Sequence, residues 1–450
     1  MKLKTILAAA LAVGFISSAS AQTTEITITG ATAFRQATLQ GIYNAYASVG
    51  AIGTSFTVFH SGSANTVSAM IASDRAVFQG QFPGITGTTI IRTSFNGSTE
   101  GLNAIAGNNN PSFLTVNAAS PGATVLGNVT SPTQTLRPKF SFSDVYQSTS
   151  PVDNIVLNPV GSSAVGVVTF AMIVNEGAPG KLTNATIQQT RALWAQGNAP
   201  ASLFTGDPND TTLLLATGRN DGSGTRSAYL TEWTYGVANT VNQYVAIQNG
   251  TTATAITGLT LVPIGSNLTN TNVPFRTGRA NDASTLWGNN AVGNGGYSSS
   301  SALRTLMGLV SSNVTVYDGE NSTPVLENEA VTLVTWLSTA DSANAVTNGA
   351  RIIAFNGEKV TPGATGTNNY NSSGFNEADF NKIANGAYSP WSYQHLYYHG
   401  SLSGNEGIWY NAMKSTWIPQ GLQLTANGLR LGDMQVSRPD DGFPIVPGAL

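Results

Sequence analysis

The sequence predicts an α/β protein, because strand-like and helix-like segments alternate along most of its 450 residues. Three features favour this class. Short runs of apolar or alternating residues are typical of strands, segments of helical spacing follow them, and glycine-rich loops separate the two. A chain of this length can form two or three domains with full-sized cores.

The first 21 residues predict a signal peptide outside the fold. A basic start, Met1–Lys4, precedes an apolar stretch from Ile6 to Ile16, and Ala19-Ser20-Ala21 is typical of a cleavage site. We therefore expect a periplasmic or secreted protein that is cleaved after Ala21. The chain contains no cysteine, so an exported fold must rely on its core and not on disulfides.

The composition argues against several partners. Only 10% of the residues are charged, and the formal net charge is −3. A nucleic-acid partner or an anionic membrane surface is therefore not expected. No later segment approaches ~18 consecutive apolar residues, so none is predicted to span a membrane. Any anion site in such a protein has to be a local arrangement of dipoles and hydrogen bonds.

Each predicted element follows from its pattern. Residues 25–29 alternate strictly and predict a half-buried strand, whereas 165–174 are nearly all apolar and predict a strand buried on both faces. Further strands are predicted at 56–59, 88–95, 139–145, 213–216, 258–264, 331–336, 351–355 and 391–398. Helices are predicted at 34–48, 65–72, 184–194, 227–233, 340–346, 375–383 and 405–413, with another beginning at 102. The tail from Arg438 to Leu450 has three prolines and is interpreted as a wrapping or flexible end.

The loop from Gly218 to Ser227 is the strongest functional signal. A glycine-rich turn between a strand and a helix directs backbone N–H groups at an anion, and the N-terminus of the helix adds partial positive charge. Arg219 offers a planar fork of donors, and Ser223 and Thr225 offer hydroxyls. The same residues also fit a helix cap formed by Ser223 or Thr225. A nucleotide-binding loop fits less well, because no Gly-Lys-Ser/Thr follows.

Several segments, taken in order, resemble the phosphate-binding proteins that feed ATP-driven phosphate importers. Arg219-Asn220-Asp221-Gly222-Ser223-Gly224-Thr225 resembles the Arg-x-Asp-Gly-Ser-Gly-Thr loop of that family at every fixed position. Weaker similarities lie at 28–34, 95–104, 142–144, 165–196 and 331–357. The resemblance implies a two-lobed periplasmic binding protein of type II, with the ligand in a cleft between lobes that crossover strands join.

The resemblance also implies lobe boundaries. Lobe 1 would span 22–157, with insertions at about 50–87 and 106–138, lobe 2 would span 158–387, and 388–450 would return to lobe 1.

The implied ligand set comes from both lobes. Arg219, Ser223, Gly224 and Thr225 would come from one lobe, and Thr32, Ser98 and Asp144 from the other. The loop at Thr32 is shorter than the family pattern, so the amide of Ala33 or Phe34 is an alternative. Ser98 competes with Ser61 and Ser63. We expect Asp144 to accept a hydrogen bond from the ligand and Asp221 to orient Arg219. Protonated phosphate has a proton for such a hydrogen bond, and sulfate has none.

The sequence thus predicts a monomeric binding protein, without a cofactor, that captures phosphate or a similar oxyanion for a membrane importer. The alternative is a secreted surface or matrix protein that keeps the scaffold without a transport role. An enzyme is not expected. His395 and His399 are spaced like a helical zinc site, but the glutamate that a zinc protease needs is missing between them.

Overall fold

A computed structural model describes residues 22–115, 125–152, 157–159, 163–247, 258–262, 292–293, 295–297, 300–308, 314–317, 324–362, 370–425 and 428–450. The predicted signal peptide lies outside these residues. So do the middle of the predicted insertion at 106–138 and the last two residues of the strand predicted at 258–264.

The described strands are β1 (Thr23–Gly30), β2 (Phe56–His60), β3 (Arg75–Gly80), β4 (Thr88–Phe95), β5 (Ser112–Leu114), β6 (Val125–Leu126), β7 (Thr133–Thr135), β8 (Phe140–Ser143), β9 (Ala164–Val174), β10 (Asn184–Ala185), β11 (Asn198–Pro200), β12 (Leu213–Ala216), β13 (Gln243–Ile247), β14 (Gly258–Val262), β15 (Val292–Gly293), β16 (Gly296–Tyr297), β17 (Val314–Tyr317), β18 (Pro324–Glu329), β19 (Val331–Ser338), β20 (Arg351–Phe355), β21 (Trp391–Tyr398), β22 (Gly428–Leu429), β23 (Val436–Ser437) and β24 (Val446–Pro447).

The described α-helices are α1 (Arg35–Val49), α2 (Val67–Ile71), α3 (Ser98–Ala106), α4 (Ile187–Gln196), α5 (Ser202–Thr205), α6 (Gly224–Glu232), α7 (Ser300–Met307), α8 (Thr339–Thr347), α9 (Glu377–Ala384), α10 (Gly404–Ala412) and α11 (Ile418–Thr425). A π-helical turn, Met413–Trp417, connects α10 to α11.

The main sheet is mixed, and its strand order is β11-β12-β19-β9-β21-β8-β1-β4-β3-β2-β6. β1 runs parallel to β4 and β8, and β12 runs parallel to β19. We call β21, β8, β1, β4, β3, β2 and β6 the first half of the sheet, and β11, β12, β19 and β20 the second half. Strands and helices alternate along the chain as predicted, and the α/β class is confirmed.

The long strand β9 belongs to both halves. Its residues 164–169 pair with β21, and its residues 170–174 pair with β19. All eleven of its residues are buried, as the continuous apolar run predicted, because the strand lies inside the sheet with packed side chains on both faces. Parallel strands end at the same edge of a sheet, so β1, β4 and β8 bring the loops that follow them together.

Two aromatic cores cover the two halves. In the first half, Phe34 just before α1 packs against Phe142 of β8, and Tyr46 of α1 packs against Phe56 of β2 and Phe78 of β3. In the second half, Trp194 of α4 packs against Tyr229 of α6 and against Trp233, which directly follows this helix. These cores fix α1 and α6 against the sheet, and the N-termini of both helices carry residues of the predicted site.

The region 50–87 is more regular than the sequence indicated. It contains the unpredicted strand β3, which pairs antiparallel with β2 and β4 and extends the first half. The segment Arg75–Gly80 starts with a charge and ends with glycine, so its apolar stretch is short. The helix predicted from residue 184 begins only at Ile187, because Asn184 and Ala185 pair with β20.

The C-terminal tail wraps across the surface and joins distant segments. Arg438 is buried and forms an ion pair with Glu232 at the end of α6, at 2.9 Å. Asp441 accepts hydrogen bonds from the backbone N of Tyr146 and from Oγ1 of Thr149. The wrapping interpretation of the tail is therefore confirmed. No helix of the described residues has the length and apolar character that crossing a bilayer requires.

Candidate functional site

A helix cap orders the loop between β12 and α6. β12 is apolar and largely buried, and α6 begins at Gly224. The preceding residue, Ser223, is the N-cap, and its Oγ accepts a hydrogen bond from the backbone N of Arg226 at 3.4 Å. The capping alternative is therefore confirmed for Ser223. It does not exclude ligand binding, because a hydroxyl that accepts a hydrogen bond keeps its own hydrogen to donate.

The side chain of Arg219 is fully buried at the centre of the site. Its Nε donates to the backbone O of Tyr297 at 3.1 Å. Its Nη1 donates to Oγ1 of Thr32 at 3.3 Å and to Oγ of Ser300 at 2.5 Å. Thr32 follows β1 in the first half, and Ser300 begins α7. The guanidinium therefore contacts the loop after β1 as well as a segment that follows α6.

Charges of both signs surround this guanidinium. Burial lowers the pKa of Arg219, whereas the carboxylates of Asp341 and Asp144 raise it. Asp341 is already paired with Arg304, with Oδ1 and Nη1 3.0 Å apart, and this pair joins α8 to α7. Asp144 is therefore the acidic group whose charge a ligand beside Arg219 would meet.

Residues 295–297 hold the backbone of the loop. The amide of Asn220 donates to the O of Tyr297, and the amide of Tyr297 donates to the O of Gly218, both at 2.9 Å. A Cβ atom at Gly296 would lie 2.6 Å from the carbonyl oxygens of Gly218 and Arg219. Only glycine allows this close backbone approach, which fixes the loop from one side.

Asp144 and Ser98 form the part of the site that the first half contributes. Asp144 follows β8 and is 2% exposed, and its backbone N donates to Oγ of Ser98 at 3.0 Å. Its Oδ1 is buried without a hydrogen-bond partner. Burial raises the pKa of Asp144 to about 6, although a hydrogen bond from the Ser98 side chain to the carboxyl group and the charge of Arg219 lower it.

The competing serines lie elsewhere. Ser61 exchanges hydrogen bonds with the backbone of Arg75, and Ser63 is exposed. Among the three candidates, Ser98 is the one that the structure places beside Asp144.

The two predicted loops are in direct contact. The amide of Glu100 in α3 donates to the O of Gly222 at 3.2 Å. A Cβ atom at Gly224 would lie 2.2 Å from Oγ of Ser98. The N-terminus of α3 therefore packs against the N-terminus of α6, and Ser98, Asp144 and Gly224 are neighbours.

Gly224→Ala tests this contact. We expect the substitution to lower the free energy of unfolding by about 1–3 kcal/mol, because the new methyl group would overlap the side chain of Ser98. Urea denaturation measures the change. The matched control is Gly404→Ala, because Gly404 also begins a helix after a serine cap but has no atom within 4 Å of its Cβ position. Equal stability of the two variants would contradict the packing described here.

The remaining predicted site residues have different environments. Thr225 is 1% exposed in the first turn of α6. The Phe34 side chain belongs to the core against Phe142, with ring centroids 5.8 Å apart, so only its backbone remains for a ligand. Ala33 is also buried, in the turn that precedes α1.

Asp221 lies toward Glu100. Burial raises the pKa of Glu100, and the negative charge of Asp221 raises it further. The Oδ1 atom of Asp221 is buried without a hydrogen-bond partner. The expected role of Asp221 in orienting Arg219 stays a prediction.

Sequence reasoning missed several groups around Arg219. Ser300 and the carbonyl of Tyr297 accept its hydrogen bonds, and they follow a long polar stretch without a distinctive motif. Arg35, the first residue of α1, is paired with Asp74, and its charge lowers the pKa of Arg219. Its position directly after the loop at 30–34 was the available signal.

The histidine pair has a structural environment. His395 is fully buried, and its Nδ1 lies 2.8 Å from Oγ of Ser163. Burial lowers the pKa of His395 to about 3, so its ring is neutral at physiological pH. In the part of the chain that the structure describes, no group of three or more His, Cys, Asp or Glu residues is placed to hold a metal ion.

Comparisons with known proteins give similarities of fold only. No family model and no curated protein matches the chain. A phosphate ABC transporter substrate-binding protein with bound phosphate from Clostridium perfringens is 11% identical, with a TM-score of 0.43, over 90% of this chain and 99% of that one. An ABC-type phosphate transport receptor from Vibrio cholerae is 12% identical, with a TM-score of 0.42, over 90% and 100% of the two chains. Similarities at this level do not assign the chain to a family.

Proposed function

We propose that this chain is an extracytoplasmic binding protein that captures a tetrahedral oxyanion, with phosphate as the first candidate. One observation carries the proposal: a fully buried guanidinium, that of Arg219, lies in the electrostatic range of a buried carboxyl, that of Asp144, beside the N-termini of α3 and α6. Helix N-termini and guanidinium groups both favour oxyanions.

The proposed ligand contacts follow from this placement. Arg219, Ser223, Gly224 and Thr225 would bind from the second half, and Ser98, Thr32 and the amides of Ala33 or Phe34 from the first. The two halves would form two lobes that move apart about β9 to admit the ligand. In this proposal 22–157 and 388–450 form one lobe and 158–387 the other, and a membrane importer receives the ligand.

Asp144 would select among oxyanions. Its unpartnered Oδ1 is a hydrogen-bond acceptor in a buried site. A ligand that carries a proton can donate to this oxygen, whereas sulfate would leave two negative charges in contact. The proposal therefore favours phosphate over sulfate at neutral pH.

Calorimetric titration of the purified protein with phosphate, sulfate and molybdate tests the proposal. We expect phosphate to bind and sulfate to bind at least about a hundredfold more weakly, because only phosphate satisfies the buried acceptor. Heat from none of the three anions would contradict oxyanion capture.

A second function is favoured because groups of the protein itself already occupy the candidate site. Nε and Nη1 of Arg219 already donate to protein oxygens, and Ser98 packs against Gly224. A secreted surface or matrix protein that keeps the scaffold without transport would need no space between these groups. The same titration separates the two functions, because the surface protein would bind no oxyanion.

A further inference from the structure

Gln243, the first residue of β13, is a fully buried amide that uses every hydrogen-bonding position it has. Its Nε2 donates to the backbone O of Arg219 at 3.0 Å and to the O of Gly295 at 2.5 Å. Its Oε1 accepts from the hydroxyl of Tyr229 at 2.8 Å and from Nε1 of Trp194 at 3.1 Å. An amide has two donor hydrogens and two acceptor positions, so none remains unused.

These four partners lie on four different segments. They belong to the loop that carries Arg219, the segment 295–297 that pairs with this loop, helix α6 and helix α4. One side chain therefore joins the backbone of the loop to the two helices packed behind it. A Cβ atom at Gly218 would lie 2.2 Å from Oε1 of Gln243, so the loop passes directly over the amide.

We propose that Gln243 is the positioning residue of the anion site: it fixes the main chain at Arg219 and so the direction of the guanidinium. The ligand it serves rests on the function proposed above, whereas its action on the loop does not. A guanidinium binds an oxyanion best when its geometry is set before the ligand arrives, and a buried hydrogen bond to the carbonyl of the same residue sets it.

Other side chains cannot replace this amide. Leucine would leave the carbonyl of Gly295, the hydroxyl of Tyr229 and the indole of Trp194 without this partner. The carbonyl of Arg219 would lose the shorter of two hydrogen bonds and keep the one from Nη1 of Arg226, at 3.3 Å. Glutamate would keep the acceptors and lose both donors. Unsatisfied buried groups cost more than the bonds themselves contribute, so the loop is expected to move toward other partners.

Two readouts of Gln243→Leu test the proposal. In the ligand-free protein, we expect the amides of Asn220 and Tyr297 to exchange hydrogen at least about tenfold faster, while the amides of β1 keep their rates. In titrations with inorganic phosphate, we expect the affinity to fall about 10–100-fold. The matched variant is Tyr229→Phe, which removes one bond to the same amide but leaves its donors to the loop, and it should change both readouts less than about threefold.

Gln243→Glu provides a variant of the same size. Its carboxyl regains one donor when it is protonated, so its loss of phosphate affinity relative to the native protein should shrink as the pH falls. The proposal is overturned if the loop amides of Gln243→Leu exchange no faster than those of Tyr229→Phe. If the leucine variant does not fold, the same comparison is made between Gln243→Glu and Tyr229→Phe. Faster loop exchange in a protein that binds no phosphate would support the positioning role and contradict the proposed function instead.

Discussion

Arg219→Met is expected to weaken phosphate binding at least about a hundredfold, because it removes the fully buried guanidinium that contacts both the loop after β1 and the start of α7. The fold should survive. Burial lowers the pKa of Arg219, which means that the folded protein holds this charge against a desolvation cost. Loss of this desolvation cost should only partly offset the acceptors that the substitution leaves without their donor, so we expect the free energy of unfolding to fall by about 1–3 kcal/mol. Calorimetric titration and urea denaturation measure the two effects.

Arg351→Met is the matched control. Arg351 also donates to backbone carbonyls in the second half, those of Leu182 and Pro179 at 2.7 and 2.8 Å. It lies on β20, which contributes no residue to the candidate site. Its removal should leave the phosphate affinity unchanged. Arg219→Lys should not restore binding, because an ammonium group lacks the planar fork. If Arg219→Met bound phosphate like the native protein, the anion site would have to lie elsewhere.

The parts of the fold that the sequence predicted are those with local signals. β9 and β21 are long runs of apolar or aromatic residues, and their predicted bounds agree with the structure to within one residue. β3 was missed, because the segment is short and its strand character depends on pairing with β2 and β4. Such pairing has no signature within the segment itself.

The residues of the candidate site also fall into those that the sequence could predict and those that it could not. Ser98 and Asp144 follow β4 and β8, which run parallel through β1 and end at one edge, so their grouping could be predicted. Arg219 follows β12, which runs in the opposite direction in the second half, and its place beside them was implied by the family resemblance of its loop. Gln243 and Ser300 could not, because their bonds run to groups far away in sequence. Gln243 lies 24 residues from Arg219 and 52 from Gly295, and both of these acceptors are backbone carbonyls that any residue type would offer.

Asp144→Asn should stabilise the protein at high pH and not at low pH. The pKa of Asp144 is raised by burial from 3.8 to about 6. Below the lower value the carboxyl is protonated in both the folded and unfolded states, and it contributes no pH dependence. Between the two values the folded state binds the proton more tightly, so stability falls as the pH rises. Above about 6 the folded protein carries a buried charge whose full cost is about 3 kcal/mol.

Asparagine cannot ionise, so the variant should gain up to about 3 kcal/mol over the native protein at pH 8 and little at pH 3.5. Urea denaturation of both proteins across this range measures the difference. Asp441, whose pKa burial raises to about 7, changes stability in the same direction, but it is present in both proteins and cancels. A difference that does not depend on pH would show that the pKa of Asp144 is not raised in the folded protein.

The same substitution connects stability to ligand choice. An asparagine at 144 presents no negative charge, so sulfate would no longer meet a buried carboxylate, and its affinity should approach that of phosphate at pH 8. The cost that the ionised Asp144 imposes on the free protein would then be the physical basis of selectivity, because a protonated ligand relieves it by donating to Oδ1 and sulfate cannot. A variant that gained stability at high pH yet still rejected sulfate would separate the two roles and assign selectivity to other groups.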